Sequence, residues 1–83
     1  LRPDLFFGYY NRAFIHLKQK NYETAMADLD KAIELEPEFA EAYYNRGLTL
    51  IFLDEPARGA LDLSKAGELG LVEAYSIIKR YCN

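Results

Sequence analysis

Residues 43–47 read YYNRG, and residues 9–13 read YYNRA. The two stretches lie 34 residues apart, and the same offset relates much of the surrounding chain. Shifted by 34, Leu1 falls on Leu35, Pro3 on Pro37, Asp28 on Asp62 and Leu29 on Leu63. Lys31, Ala32, Glu34 and Leu35 fall on Lys65, Ala66, Glu68 and Leu69. Twelve of the first 35 positions are identical without a gap. In a chain of 83 residues this is an internal duplication, and it fixes the repeating unit before any single element is assigned.

Inside each unit the apolar spacing is helical. Phe7, Tyr10, Phe14 and Leu17 recur at three- and four-residue intervals, with Tyr9, Ala13 and His16 on the adjoining face. KQKNYE (18–23) is a polar break, and Asn21 is the expected cap of a second helix. That helix turns Ala25, Leu29, Ala32 and Ile33 inward. Pro37 closes the unit and suits the first turn of the next helix. The second unit repeats the plan: a helix to about Leu53, a break at LDEPA (53–57) capped by Asp54, and a helix from about Pro56 to Leu69. Gly70 is expected just past the end of that helix, where a left-handed residue is wanted. A single helix then runs from Leu71 to Tyr81. VEAY (72–75) repeats AEAY (40–43) at a spacing of 32, so the register slips there.

A 34-residue helix–turn–helix unit resembles the tetratricopeptide repeat family, which places a large aromatic, small residues and a closing proline at set positions. Tyr9 and Tyr43 stand at the aromatic. Ala13 and Gly47, then Ala25 and Gly59, stand at the small positions, and Leu29 and Leu63 at the phenylalanine. Pro37 matches the closing proline, which Leu71 replaces in the second unit. Arg12 and Arg46 depart from the usual leucine, and His16 and Leu50 from the second aromatic. The resemblance spans essentially the whole chain. It implies an all-α, right-handed helical solenoid of antiparallel helix pairs. Repeat 1 is expected over about 4–37, repeat 2 over about 38–71, and a capping helix over about 72–82. LRPD (1–4) echoes LEPE (35–38). These residues are therefore expected to be part of a longer array, and the first helix is expected to find a neighbour, self-association being one route.

The charge balance is −3, with Lys and Arg scattered among a larger number of carboxylates. Nucleic acid, which is held through neutralised phosphates, is not an expected partner. No apolar run approaches the roughly 20 residues that span a bilayer, and no membrane partner is expected. Cys82 is the only cysteine. A fold without an internal disulfide suits a reducing compartment, and the cytoplasm is the default expectation.

Catalytic chemistry has little to start from. His16 is the one histidine, and triads and metal sites need several convergent groups. The simpler account of His16 is a ring filling a core-facing slot. Asp28, Asp30, Glu34, Glu38 and Glu41 read as surface charges rather than a facing acid–base pair. Gly59, Gly67 and Gly70 lack the strand–turn–helix setting of a phosphate loop. No enzyme, metal or cofactor is expected.

The resemblance instead implies a protein–protein interaction scaffold, with a peptide or partner helix in a concave groove lined by the first helix of each repeat. The candidate lining is Tyr10, Asn11 and Phe14 in repeat 1, and Tyr44, Asn45, Leu48 and Phe52 in repeat 2. Phe7, Leu17, Lys18, Glu41 and Ile51 share the stripe by spacing. The opposing account is that part of the stripe only packs against neighbouring helices. Some chaperone-binding members of the family use a two-carboxylate clamp. At best two of its five positions are suitably filled, Asn45 at the middle asparagine being one, so no such clamp is expected. Arg12 and Arg46 recur with Asp28 and Asp62 at one offset. An arginine in a half-buried slot needs a partner, so the pairs Arg12–Asp28 and Arg46–Asp62 are expected within repeats, or Arg46–Asp28 across the junction. The alternative is that the arginines meet an acidic ligand. The rival function is a structural or oligomerising repeat, or an ancillary domain of a larger protein, with no peptide ligand of its own.

Overall fold

In the computed structural model, residues 5–82 are described, and they form five helices. The helices are α1 (Leu5–Lys18), α2 (Tyr22–Leu35), α3 (Ala40–Phe52), α4 (Pro56–Glu68) and α5 (Ala74–Tyr81). The fold is all-α: α1 pairs with α2 and α3 with α4 in antiparallel hairpins, and α5 closes against α4. The expected start of repeat 1, and the LRPD stretch, lie outside the described residues.

Small residues at the crossings allow the helices to approach closely. In the first hairpin Ala13, Ala25, Leu29 and Ala32 are fully buried, and Ala42 of α3 joins them from the next unit. In the second hairpin the crossing is tighter still. A Cβ on Gly47 would stand 2.9 Å from the carbonyl oxygen of Gly59 and 2.7 Å from Cγ of Leu63. A Cβ on Gly59 would stand 2.7 Å from the carbonyl oxygen of Gly47. The two backbones therefore touch, and only glycine fits on either side.

The ends of α1 and α3 share one geometry. Lys20 and Asp54, 34 residues apart, both have left-handed backbones, with φ of 63° and 65°. The N–H of Asn21 returns to the carbonyl of His16, and that of Lys20 to Leu17. Glu55 and Asp54 do the same to Leu50 and Ile51. These paired bonds satisfy the last carbonyls of each helix. They also correct an expectation. Asp54 does not cap α4; it is the left-handed residue that ends α3, and Glu55 occupies the cap position without a side-chain bond to the helix backbone. Asn21 does stand at the start of α2, but its amide donates to Gln19 Oε1 and not to the helix.

Gly70 is the third left-handed position, with φ of 113°. The N–H groups of Gly70 and Leu71 return to the carbonyls of Gly67 and Ala66, so α4 ends where expected. The last helix begins later than its sequence suggests, because residues 72–73 form a turn. Its packing follows the 32-residue spacing: Ala74 is buried against Leu63 and Ala66, as Ala42 is against Ala32. The Tyr75 ring lies over Gly67, at the place a Cβ would take.

The two mid-helix glycines Gly8 and Gly47 should respond oppositely to alanine. Gly47→Ala forces apart two touching backbones and should cost about 1–3 kcal/mol. A Cβ on Gly8 meets nothing within 4 Å, so Gly8→Ala should stabilise by about 0.5–1 kcal/mol through helix propensity alone. Urea unfolding of the two variants measures both signs.

Candidate functional site

The first helices of the two repeats, α1 and α3, lie side by side and enclose a cavity of about 300 Å³. Its apolar lining is Phe14 and Leu17 from α1, Tyr22 from α2, and Leu48 and Phe52 from α3. Asn45 and Thr49 supply polar atoms, and Lys18 and Lys20 complete the wall. Phe14 is 45% exposed and Phe52 66%, so the apolar surface is open to a partner. Tyr22 stacks on Phe52 at 5.6 Å between ring centroids and walls one end. Lys18 Nζ sits 5.0 Å from the centre of the Phe14 ring, within range of a cation–π contact. Thr49 is buried because its hydroxyl donates to the Asn45 carbonyl, four residues back, at 2.7 Å.

The seven groove candidates divide. Phe14, Asn45, Leu48 and Phe52 come together in this cavity. Tyr10 stands beside it: the Asn45 amide donates to the Tyr10 hydroxyl at 2.8 Å, which ties α3 to α1 across the repeat junction. Burial lifts the Tyr10 phenol above its ordinary pKa. The Asn45 hydrogen bond works against that, and the charge of Glu41 adds to it. Tyr44 lies elsewhere, half-buried against the cluster of Leu63, Ala66 and Ala74. Asn11 is exposed on α1 and does not line the cavity. Ile51, which the spacing places on the stripe, turns toward α4: its Cγ1 lies 3.1 Å from where a Cβ of Gly59 would be.

The arginines sit on the other side of the same helices. Arg12 grips Asp28 with a two-pronged fork, Nε to Oδ2 at 2.9 Å and Nη2 to Oδ1 at 2.8 Å. Arg46 grips Asp62 in the same way at 2.7 and 2.9 Å. Arg46 also donates from Nη1 to Asp30 of α2 at 2.9 Å. One guanidinium thus joins α2, α3 and α4. The Asp62 hydrogen bonds hold Arg46 more firmly protonated than usual, against the opposing pull of desolvation, with Asp30 reinforcing them. Hydrogen bonds to Asp28 act on Arg12 in the same sense. Asp30 escapes the sequence pattern because Ser64 stands 34 residues on. The junction partner of Arg46 is therefore Asp30 and not Asp28, which is held by Arg12.

A local charge pattern is also hidden by the overall balance. Between Leu5 and Tyr22 there are three basic residues, Arg12, Lys18 and Lys20, and no acidic one. His16 fills the slot that the buried Leu50 fills one repeat later, and its Nδ1 is buried without a hydrogen-bond partner among the described residues. No group of three or more His, Cys, Asp or Glu side chains among the described residues could hold a metal ion. None of the described helices is long and apolar enough to cross a membrane.

The TPR-repeat family pattern matches residues 15–51, which run from α1 through the junction into α3. The chain is a TPR-repeat domain. It is 46% identical over 57 residues to Protein SGT1 homolog of Oryza sativa subsp. japonica, across 66% of this chain and 16% of that protein. It is 34% identical over 70 residues to the E3 ubiquitin-protein ligase CHIP of Arabidopsis thaliana, across 84% of this chain and 25% of that protein. It is 47% identical over 38 residues to the serine/threonine-protein phosphatase T of Aspergillus oryzae, across 46% of this chain and 8% of that protein. The chain therefore spans a quarter or less of the length of these relatives. Domains of this family serve protein–protein interaction in general.

Two measurements separate the polar ties. Asp62→Ala leaves the half-buried Arg46 without its fork and should cost about 2 kcal/mol, as for hydrogen bonds to a charged group. Asp30→Ala removes an exposed partner and should cost less than about 1 kcal/mol. The Tyr10 effect has a definite sign. The folded chain holds the phenol proton more tightly, so this contribution is complete below the unfolded value of 10.0 and is lost as pH rises through the folded value. Tyr10→Phe should remove that part of the alkaline fall in the denaturant midpoint.

Proposed function

We propose that this domain is an interaction module that takes a peptide segment or partner helix in the cavity between α1 and α3. The observation that carries the proposal is the open apolar lining of Phe14, Leu17, Leu48 and Phe52, bordered by Lys18 and Lys20. A pocket with an apolar floor and a few charged groups selects a bulky apolar anchor with a complementary charge beside it. The expected ligand is thus an amphipathic segment with a large aliphatic or aromatic side chain and flanking Asp or Glu. Asn45 adds a carbonyl oxygen, since its amide is engaged by Tyr10. In this proposal Tyr44 and Asn11 are outside the contact surface, and Arg12 and Arg46 serve the helix packing.

The similar proteins support a binding role over a catalytic one. One is named as a ubiquitin ligase and another as a protein phosphatase. Two such different chemistries share no reacting group, so what they share with this chain is better sought in recognition. The second proposal, an ancillary domain within a larger protein and without a ligand of its own, draws on the short span of the match.

A peptide-display library selected on the protein distinguishes the two. Leu48→Glu places a carboxylate in the cavity wall without touching a fully buried position, and serves as the counter-selection. Peptides with an apolar anchor and acidic flanks should be enriched on the native protein alone. If nothing is enriched over the Leu48→Glu variant, or if the enriched peptides are basic, the binding proposal falls.

A further inference from the structure

Asn45 gives the cavity between α1 and α3 a polar character that its apolar walls lack. Its amide nitrogen donates to the Tyr10 hydroxyl at 2.8 Å. Asn45 lines the cavity, whereas Tyr10 stands beside it. With its nitrogen turned to Tyr10, the planar amide presents Oδ1 to the cavity. That oxygen has no hydrogen-bond partner among the described residues. Only His16 Nδ1 is both buried and unpartnered there, so Asn45 Oδ1 is open to water. The other polar side chains of the lining differ. Lys18 and Lys20 are ammonium groups that only donate. The Thr49 hydroxyl is buried and spends its proton on the Asn45 carbonyl. The Tyr22 ring is stacked on Phe52, and its hydroxyl can donate as well as accept. Asn45 Oδ1 is thus the lining's acceptor-only side-chain atom, set among Phe14, Leu17, Leu48 and Phe52.

On the footing that this cavity is the ligand groove, we propose that it selects a tyrosine as anchor: the phenol ring fills the apolar lining and its hydroxyl donates to Asn45 Oδ1. A ligand that covers this oxygen displaces its water. An aliphatic or phenylalanine anchor gives nothing in return and leaves a covered acceptor unsatisfied. A carboxylate meets the amide oxygen in place of the nitrogen, acceptor against acceptor. A lysine or arginine can donate, but Lys18 and Lys20 repel it. Serine and threonine donate and leave the apolar lining unfilled. Indole carries a donor but has no oxygen to accept from the ammonium groups. A phenol has an apolar body, a donor at its tip and an oxygen that still accepts. Asn45 is thereby the residue that sets anchor specificity. Tyr10 is the positioning residue that keeps the Asn45 amide from turning over.

The probes are four peptides of one sequence, in which glutamates flank a single anchor: tyrosine, phenylalanine, O-methyltyrosine or tryptophan. Each is titrated into the protein and followed by NMR, which reads weak binding. The tyrosine peptide should bind about tenfold more tightly than the phenylalanine peptide. O-methyltyrosine keeps the oxygen without its proton and should not recover the difference. The preference should vanish in Asn45→Leu, persist in Asn45→Asp, which keeps an acceptor, and fall in Tyr10→Phe, which frees the amide to turn. Circular dichroism checks that each variant stays folded. A preference that survives in folded Asn45→Leu, or is unchanged in folded Tyr10→Phe, would overturn the proposal. Equal binding of the tyrosine and phenylalanine peptides, or undiminished binding of the O-methyl peptide, would also overturn it. Tighter binding of the tryptophan peptide would overturn the choice of a phenol. In each of these cases the groove itself still stands. If no peptide shifts the signals of the cavity residues, the groove falls and the tyrosine anchor with it.

Discussion

The close approach of helix backbones at small residues is the constraint from which the rest follows. At the two crossings stand Ala13 with Ala25, and Gly47 with Gly59. A crossing made of alanine and glycine has no room for aromatic rings. The fully buried large side chains are accordingly few, namely Leu29, Leu50, Leu63 and Thr49. Phe14, Phe52, Tyr9 and Tyr10 must go to the flanks of the hairpins. An apolar flank in a stacked array can be covered by the next hairpin or left open. Apolar surface left open is what marks an interaction site. The accessible rings are in this sense a consequence of how tightly the backbones pack.

Tight crossings alone do not set the angle between successive hairpins. Polar ties do that. Each fork from arginine to aspartate spans one repeat, and two further bonds span the junction: Arg46 to Asp30 on one side of α3, and Asn45 to Tyr10 on the other. Consecutive residues on a helix point about 100° apart, so Asn45 and Arg46 reach different neighbours. A half-buried guanidinium bonded in a fork contributes more to geometry than to net stability, because desolvation opposes it. The position of α1 beside α3, and hence the width of the groove between them, depends on these bonds.

How much of this is legible in the sequence follows from what repeats. The 34-residue period, the helix pairs and the recurring offset from arginine to aspartate are all visible, because each occurs twice. Asp30 is not visible, because its copy is Ser64. The role of Asp54 is concealed for another reason: an aspartate suits a helix cap and a left-handed turn equally well, and its copy is Lys20, which signals neither. The groove stripe is the hardest to read. An inner helix of a solenoid touches its own partner and the neighbouring units on several sides. Spacing places Tyr44, Ile51 and Leu48 on one broad face, but α4 and α5 take Ile51 and Tyr44, and only Leu48 is left to the cavity. Periodicity identifies a face without saying which neighbour covers it.

Charge is unevenly distributed along the chain. The chain as a whole is acidic, with 13 carboxylates against 10 basic residues. Yet the stretch from Leu5 to Tyr22 has only basic charges, and the carboxylates of the described residues all come later in the chain. Lys18 and Lys20 lie at the end of α1, where a positive charge is also favoured by the helix dipole. Arg12 lies on the opposite flank. Across a molecule whose principal extents are 41 × 27 × 16 Å, charges at opposite ends are separated by more than the Debye length of about 8 Å at physiological salt. Asp28 pairs with Arg12 at 2.8 Å and offsets its charge, so the basic character that stays local to α1 is that of Lys18 and Lys20 beside the groove. In the proposed groove, Lys18 and Lys20 are the charges that the acidic flanks of a ligand would meet.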